Sequence, residues 1–214
     1  MQSRILLIGG GGHCKSVIDS IIRTKHYSDI GIIDREERIG KSILSFPIIG
    51  CDGDLLKLYE SGYRDAFVTV GSIGDSTVRK KLFQLLETIG FALPNIIDDS
   101  AIVSKYATLE KGIFIGKNVV VNAGSFIYKG AILNTSSVVE HDSVVQEFSH
   151  IAPGVVLCGD VKIGANTHIG AKSVVKQNIH IGSNSIIGMG SVVISDIEDN
   201  VVAYGNPCKE VRPK

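Results

Sequence analysis

The sequence predicts a chain in two parts, a small α/β layer with a parallel sheet followed by a prism of hexapeptide repeats. Two observations carry this. From Ile97 to Val193 every sixth residue is Ile, Leu or Val, with no insertion. Ahead of that run, an apolar stretch at residues 4–8 leads into Gly9-Gly10-Gly11-Gly12 and then into a helical pattern from about His13. Strand, glycine turn and helix in that order open a βαβ unit.

The first part, residues 1–95, continues with a second strand around Ile30-Gly31-Ile32-Ile33, ending at Asp34, and a third over Asp65–Gly71. A helix follows with Val78, Leu82, Leu85, Leu86 and Ile89 on one face. This is a small Rossmann-like parallel sheet. Ligands of such sheets sit beyond the carboxyl ends of the strands, where a glycine turn exposes N–H groups and the next helix points its positive end at an anion. Those ends carry Gly11, Gly12, His13, Asp34, Arg35 and Gly71, a position suited to a phosphorylated nucleoside. A dinucleotide fingerprint is absent, because Cys14 stands where the third glycine would pack helix against strand. Pro94-Asn95 ends the α/β pattern.

Residues 96–198 form the repeat, and 199–214 a tail. Each hexapeptide supplies one short strand with its aliphatic residue inside, and the position four further on is always Ala, Ser, Thr, Val or Ile, as expected where the chain turns a corner. Three hexapeptides make one triangular coil, so corners recur every eighteen residues. Flat-faced prisms of this kind stand three together, and a homotrimer is expected, with clefts between neighbouring chains.

Charge narrows the partners. The chain has 22 basic and 22 acidic residues, and its repeat contains no Arg; no segment has the basic excess that nucleic-acid binding needs. No apolar run is long enough to span a bilayer, and the N-terminus shows no signal-peptide pattern, so no membrane association and a cytoplasmic location are expected. Cys14, Cys51, Cys158 and Cys208 form no CxxC pair and are read as reduced, packed thiols.

The histidines separate on the six-residue grid. His26 falls in a polar loop. His150, His168 and His180 share the last position of their hexapeptides and are expected to point outward as structural or solvated groups. His141 stands off that register, at the third position, between Glu140 and Asp142. A carboxylate beside an imidazole fixes its tautomer and stabilises its protonated form, which suits a general base near neutral pH. Adjacent strand residues point opposite ways, and a corner here would let Asp142 fold back; the sequence leaves both acids open. The histidine spacing does not suit a three-histidine zinc site, and no metal is expected.

Three motifs carry a resemblance along nearly the whole chain. They are Ile8-Gly9-Gly10-Gly11-Gly12-His13, then Asn134-Thr135 to Val139-Glu140-His141-Asp142 with His150-Ile151-Ala152-Pro153-Gly154, and finally Gly205-Asn206-Pro207-Cys208-Lys209. The repeat resembles the left-handed parallel β-helix acyltransferases. The whole chain is similar to bacterial sugar acyltransferases with a small N-terminal α/β domain, including UDP-amino-sugar N-acetyltransferases of the bacillosamine type and sialic acid O-acetyltransferases. The resemblance implies acetyl-CoA as co-substrate and His141 as general base, with Asp142 raising its basicity. It implies that His150 contacts the thioester region and that backbone near Ala171 and Met189 lines the pantetheine arm. Gly11, Gly12, His13, Asp34, Arg35 and Gly71 would hold a sugar nucleotide. Two residues depart from the pattern, Asp142 where the bacillosamine type has Glu and Cys208 where Ala is usual. The expected reaction is acetylation of a UDP-linked 4-amino-4,6-dideoxy-sugar in surface glycan biosynthesis. The alternatives are O-acetylation of sialic acid or another sugar hydroxyl, and a trimeric sugar-nucleotide-binding scaffold without catalysis.

Overall fold

In the computed structural model, which describes residues 3–214, the N-terminal layer is a five-stranded sheet. Its elements are β1 (Ser3–Ile8), α1 (Gly12–Thr24), β2 (Tyr27–Ile33), β3 (Ser42–Ile43), β4 (Phe46–Gly50), α2 (Leu55–Glu60), β5 (Asp65–Val68) and α3 (Thr77–Ile89). The order is β3-β4-β2-β1-β5, parallel except for the β3–β4 pair. β1 is apolar from Ile5 to Ile8 because both of its faces are covered there. Ile5 and Leu7 pack with Cys14, Val17 and Ile18 of α1, while Leu6 and Ile8 pack with Leu82, Phe83 and Leu86 of α3.

Two expectations need correction. The buried stripe of α3 is Arg79, Leu82, Phe83 and Leu86, and Val78 and Leu85 are exposed. An apolar count picks the neighbouring stripe because it cannot foresee a guanidinium in a core position. The thiols are also not uniformly packed: Cys14 and Cys208 are buried, whereas Cys51 and Cys158 are half-buried, and all four are free.

The repeat folds as a left-handed parallel β-helix. Two-residue strands run from Ile96–Ile97 to Val192–Val193, and each as far as Val174–Val175 pairs in parallel register with the strand eighteen residues on, as Val120 with Val138 and Val138 with Val156. They stack into three faces. The first contains Phe114, Ile132, His150 and His168; the second Val120, Val138 and Val156; the third Phe126, Val144 and Lys162. The repeating aliphatic residues point inward, and those from Ile115 to Val193 are wholly buried. Residues Val201–Gly205 and Cys208–Pro213 extend the first face as a further pair of strands.

The corners are turned by the fourth residue of the hexapeptide, which lies in the left-handed region at Asn118, Gly124, Gly130, Asp142, Asp160, Asn166 and others. Gly, Asn and Asp tolerate that conformation best. The small residue that follows, at the same corner, has a further task. It points inward and ties one coil to the next: Ser143 Oγ donates to the Cys158 carbonyl at 3.1 Å and Ser149 Oγ to that of Gly164 at 2.7 Å.

The α/β layer covers the first face. Phe114 and Ile132 join the core beneath α1. Phe148 sits at a corner with φ 56°, unusual for a bulky side chain, and packs edge-on against Phe83 of α3 at 5.3 Å. Arg79 bolts the joint, donating to Ser72 Oγ (3.0 Å), to the Phe148 carbonyl (3.4 Å) and to the Gly130 carbonyl. Among the described residues the second face has no such cover. Its outward residues, Ile102, Val120, Val138, Val156, Val174 and Val192, form an aliphatic stripe exposed wholly or in part. Among the described residues no helix is long and apolar enough to cross a membrane.

Candidate active site

A cavity of ≈ 910 Å³ opens beyond the carboxyl ends of β1, β2 and β5. Gly11, Gly12, His13, Asp34, Arg35 and Gly71 all line it. The four glycines have different reasons to be there. Gly9 has φ +110°, and a Cβ on it would lie 2.6 Å from Val70; a Cβ on Gly10 would lie 2.6 Å from Asp34 Oδ2. Gly11 and Gly12 meet nothing within 4 Å, so no protein atom demands their bareness. They front the first turn of α1, which has no side-chain cap, and its free N–H groups suit an anion.

Asp34 organises this turn. Its Oδ2 accepts from the Gly10 N–H (2.9 Å) and from Arg38 Nη1, while Oδ1 accepts from the Arg35 N–H (2.8 Å). Arg38 was not expected, although its position four residues after Asp34 was visible. Cys51 and Asp52 also line the cavity. They follow β4, a strand that the sequence reading did not identify, so nothing directed attention to them.

His13 faces both parts of the chain. Its ring meets Phe114 edge-on at 4.9 Å, its Nε2 is buried without a hydrogen-bond partner, and burial together with the nearby Arg79 cation pulls its pKa down to about 4. His150 is half-buried at the same joint. Its Nδ1 lies 3.1 Å from the Ser72 carbonyl and its Nε2 3.3 Å from the Asn134 amide nitrogen. A carbonyl can only accept, so Nδ1 carries the proton and Nε2 accepts from Asn134. Burial first, then His168, holds the His150 pKa to about 3. His168 does not stand outward in solvent as expected. It is buried 4.9 Å from the His150 ring because the α/β layer covers this face, and burial lowers its pKa. His180, on the third face, is exposed.

His141 lies at the corner between the second and third faces, with 65% of its side chain exposed. The structure chooses between its flanking acids. Asp142, turned back by its own left-handed φ of 60°, places Oδ2 2.9 Å from His141 Nδ1, whereas Glu140 accepts from Asn122 Nδ2 at 2.9 Å. A carboxylate accepts, so Nδ1 holds the proton and Nε2 is left as the basic nitrogen. The Asp142 hydrogen bond raises the His141 pKa above its ordinary value, with smaller support from Glu140 and Asp160.

The predicted residues therefore fall into two groups. The cavity and His150 lie on the side of the first face, and Ala171 and Met189 lie on the corner between the first and second faces, where Met189 is 81% exposed. His141 occupies the far edge of the second face. Within one chain the aliphatic stripe separates the groups. Among the described residues, no three His, Cys, Asp or Glu side chains come together as a metal-holding group.

A hexapeptide prism with a histidine–aspartate pair on its edge, joined to a glycine-turn cavity, defines an acyltransferase architecture. Comparison with known proteins makes this particular. Residues 4–86 match the family described as PglD N-terminal domain; residues 142–177 and 160–195 match bacterial transferase hexapeptide (six repeats), and residues 104–129 the hexapeptide repeat of succinyl-transferase. Perosamine N-acetyltransferase from Caulobacter crescentus, solved with CoA and GDP-perosamine, is 35% identical over 98% of this chain and 97% of that one, with a TM-score of 0.92. The acetyltransferase domain of PglB from Neisseria gonorrhoeae, solved with acetyl coenzyme A, is 33% identical over 99% of this chain and 100% of that one, again with a TM-score of 0.92. WeeI from Acinetobacter baumannii shares the fold at 21% identity and a TM-score of 0.81, over 98% of this chain and 100% of that one. The chain belongs to the CoA-dependent sugar N-acetyltransferases of the hexapeptide-repeat superfamily.

Proposed function

We propose that the protein moves the acetyl group of acetyl-CoA to the amino group of a nucleoside-diphosphate-linked amino-sugar, with His141 as general base. The observation that carries this reading is the basic Nε2 of His141, freed by the bond from Nδ1 to Asp142. The acceptor amine attacks the thioester carbonyl and its proton passes to Nε2. When the tetrahedral intermediate collapses, the CoA thiolate leaves and takes that proton from the imidazolium. Asp142 keeps the tautomer and stabilises the imidazolium.

Gly11, Gly12, His13, Asp34, Arg35 and Gly71 hold the sugar nucleotide in this reading: the bare glycines admit the diphosphate to the start of α1, and the similarity to an enzyme solved with GDP-perosamine supports such an acceptor. His150, Ala171 and Met189 line the path of acetyl-CoA. Because the aliphatic stripe of the second face divides these residues from His141, the reading requires neighbouring chains. A homotrimer that buries the stripe brings the His141 edge of one prism to the corner of the next, and each site draws on two subunits. Both co-substrates are cytoplasmic metabolites, which supports a cytoplasmic reaction, and an N-acetylated sugar nucleotide is a product suited to surface-glycan synthesis.

The test is incubation with acetyl-CoA and a panel of UDP- and GDP-linked amino-sugars beside free sialic acid, following thiol release and product mass. An N-acetylated sugar nucleotide, with the rate lost in His141→Ala, is expected. Near-normal turnover by His141→Ala, or acetylation of sialic acid alone, would overturn the reading. Sedimentation that shows a monomer at assay concentration would remove the shared site.

A further inference from the structure

The cavity beyond the strand ends runs in a definite direction. The α1 turn lies over β1. On one side of it the cavity approaches the prism, where His150 Nδ1 donates to the carbonyl of Ser72, shortly after β5. On the other side, in the order β4-β2-β1-β5, it extends over β2 and β4. A sugar nucleotide with its diphosphate on the α1 turn and its sugar toward the prism must therefore place its nucleoside over β2 and β4.

Asp34, Arg35, Arg38 and Asp52 line that end. Two of these are already engaged. Asp34 accepts from the Gly10 N–H, the Arg35 N–H and Arg38, and Arg38 also donates to the Gly10 carbonyl at 3.3 Å. Nearby Asp54 is closed on the Cys51 N–H at 2.9 Å. The guanidinium of Arg35 and the carboxylate of Asp52 have no hydrogen-bond or ion-pair partner among the described residues, and both residues are exposed. Burial, then the Asp34 charge, raises the Asp52 pKa, a cost that a hydrogen-bond donor on a ligand would relieve.

An unpartnered acceptor beside an unpartnered fork of donors discriminates among bases. The Watson–Crick edge of guanine carries two adjacent donors, N1–H and the N2 amino group, and its neighbouring edge carries two acceptors, O6 and N7. A carboxylate suits the first pair and a guanidinium the second. Uracil sets its single N3–H between two carbonyl oxygens, which a carboxylate repels. Adenine presents a lone pair at N1. At ≈ 910 Å³ the cavity is large enough for a purine nucleotide.

Resting on the reading of this cavity as the sugar-nucleotide site, we propose that Asp52 and Arg35 read the base, and that the acceptor sugar is carried by guanosine diphosphate rather than uridine diphosphate. Asp52 accepts from N1–H and the N2 amino group, and Arg35 donates to O6 and N7.

The test is calorimetric titration of the full chain with GDP, UDP, IDP, which is GDP without the 2-amino group, and 7-deaza-GDP, which lacks the N7 acceptor. GDP should bind at least about tenfold more tightly than UDP, and roughly tenfold more tightly than IDP. Asp52→Ala should lose that factor for GDP and erase the difference between GDP and IDP, while UDP affinity stays within about twofold. Loss of N7 should cost roughly fivefold in the wild type and nothing in Arg35→Gln. The two analogues probe the unaltered protein, so the result does not hang on how a variant folds.

Equal binding of GDP and IDP by the wild type, or UDP bound as tightly as GDP, overturns the base assignment and leaves the cavity a sugar-nucleotide site. Asp52→Ala that weakens GDP, IDP and UDP alike moves Asp52 to the ribose and overturns it as well. Failure of all four nucleotides to bind overturns the sugar-nucleotide reading on which the proposal rests.

Discussion

Mild acid should weaken the joint between the α/β layer and the prism. His13 and His150 meet there, and they are held neutral to about pH 4 and about pH 3 by burial, with Arg79 and His168 as the neighbouring cationic or basic groups. Both folded values lie below the ordinary 6.5, so between that pH and about 4 the unfolded chain binds more protons than the folded one. Stability is therefore fully present above about pH 6.5 and is lost as pH falls. At 1.36 kcal/mol per pH unit, each histidine removes about 2 kcal/mol between pH 7 and pH 5. Most carboxylates titrate below that window. The measurement is urea unfolding at a series of pH values for the wild type, His13→Asn and His150→Asn. Each variant should flatten the pH dependence by about 2 kcal/mol, whatever it does to stability at pH 7. Curves that run parallel to the wild type across this range would refute the account.

Three further outcomes are expected. Because Asp142 raises the His141 pKa, turnover should rise with pH through a value above 6.5, and Asp142→Asn should slow the reaction and move that limb down; an unmoved limb in the pH–rate profile would assign it to another group. Arg79→Met removes the donors from two carbonyls and one hydroxyl at the joint, and should cost about 3 kcal/mol in chemical unfolding, with a loss below about 1 kcal/mol marking those bonds as incidental. Val156→Glu places a charge in the middle of the aliphatic second face and should turn the proposed trimer into monomers by sedimentation, while circular dichroism shows the prism intact; a surviving trimer would put the interface elsewhere.

The prism was legible because one backbone requirement repeats and an error at any position would break it. The βαβ opening and the cavity residues were legible because the glycine turn fixes where strand ends gather. The aliphatic second face could also have been read, from Ile102, Val120, Val138, Val156, Val174 and Val192 at eighteen-residue spacing. Other features depend on partners distant in sequence. Arg79 enters the core because carbonyls of the prism receive it, and His168 is buried because another layer covers its face. Asp142 rather than Glu140 supports His141 because the left-handed corner folds it back. Arg38 and Asp52 belong to a region whose short β3 and β4, with Pro47 inside β4, give weak periodic signals.

The unbroken count has a consequence for how this chain tolerates change. With register repeating every eighteen residues, a residue's number fixes the face that it occupies. Removing one hexapeptide between His141 and His150 would leave a well-formed prism but rotate everything after it by one side. Val156 would then take the place of His150 beneath the α/β layer, and His150 would move to the solvent-facing third side. Removing three hexapeptides would return every later residue to its own side. Length here is therefore tolerated in whole coils, and a shift of one or two hexapeptides scrambles the surface while sparing the fold.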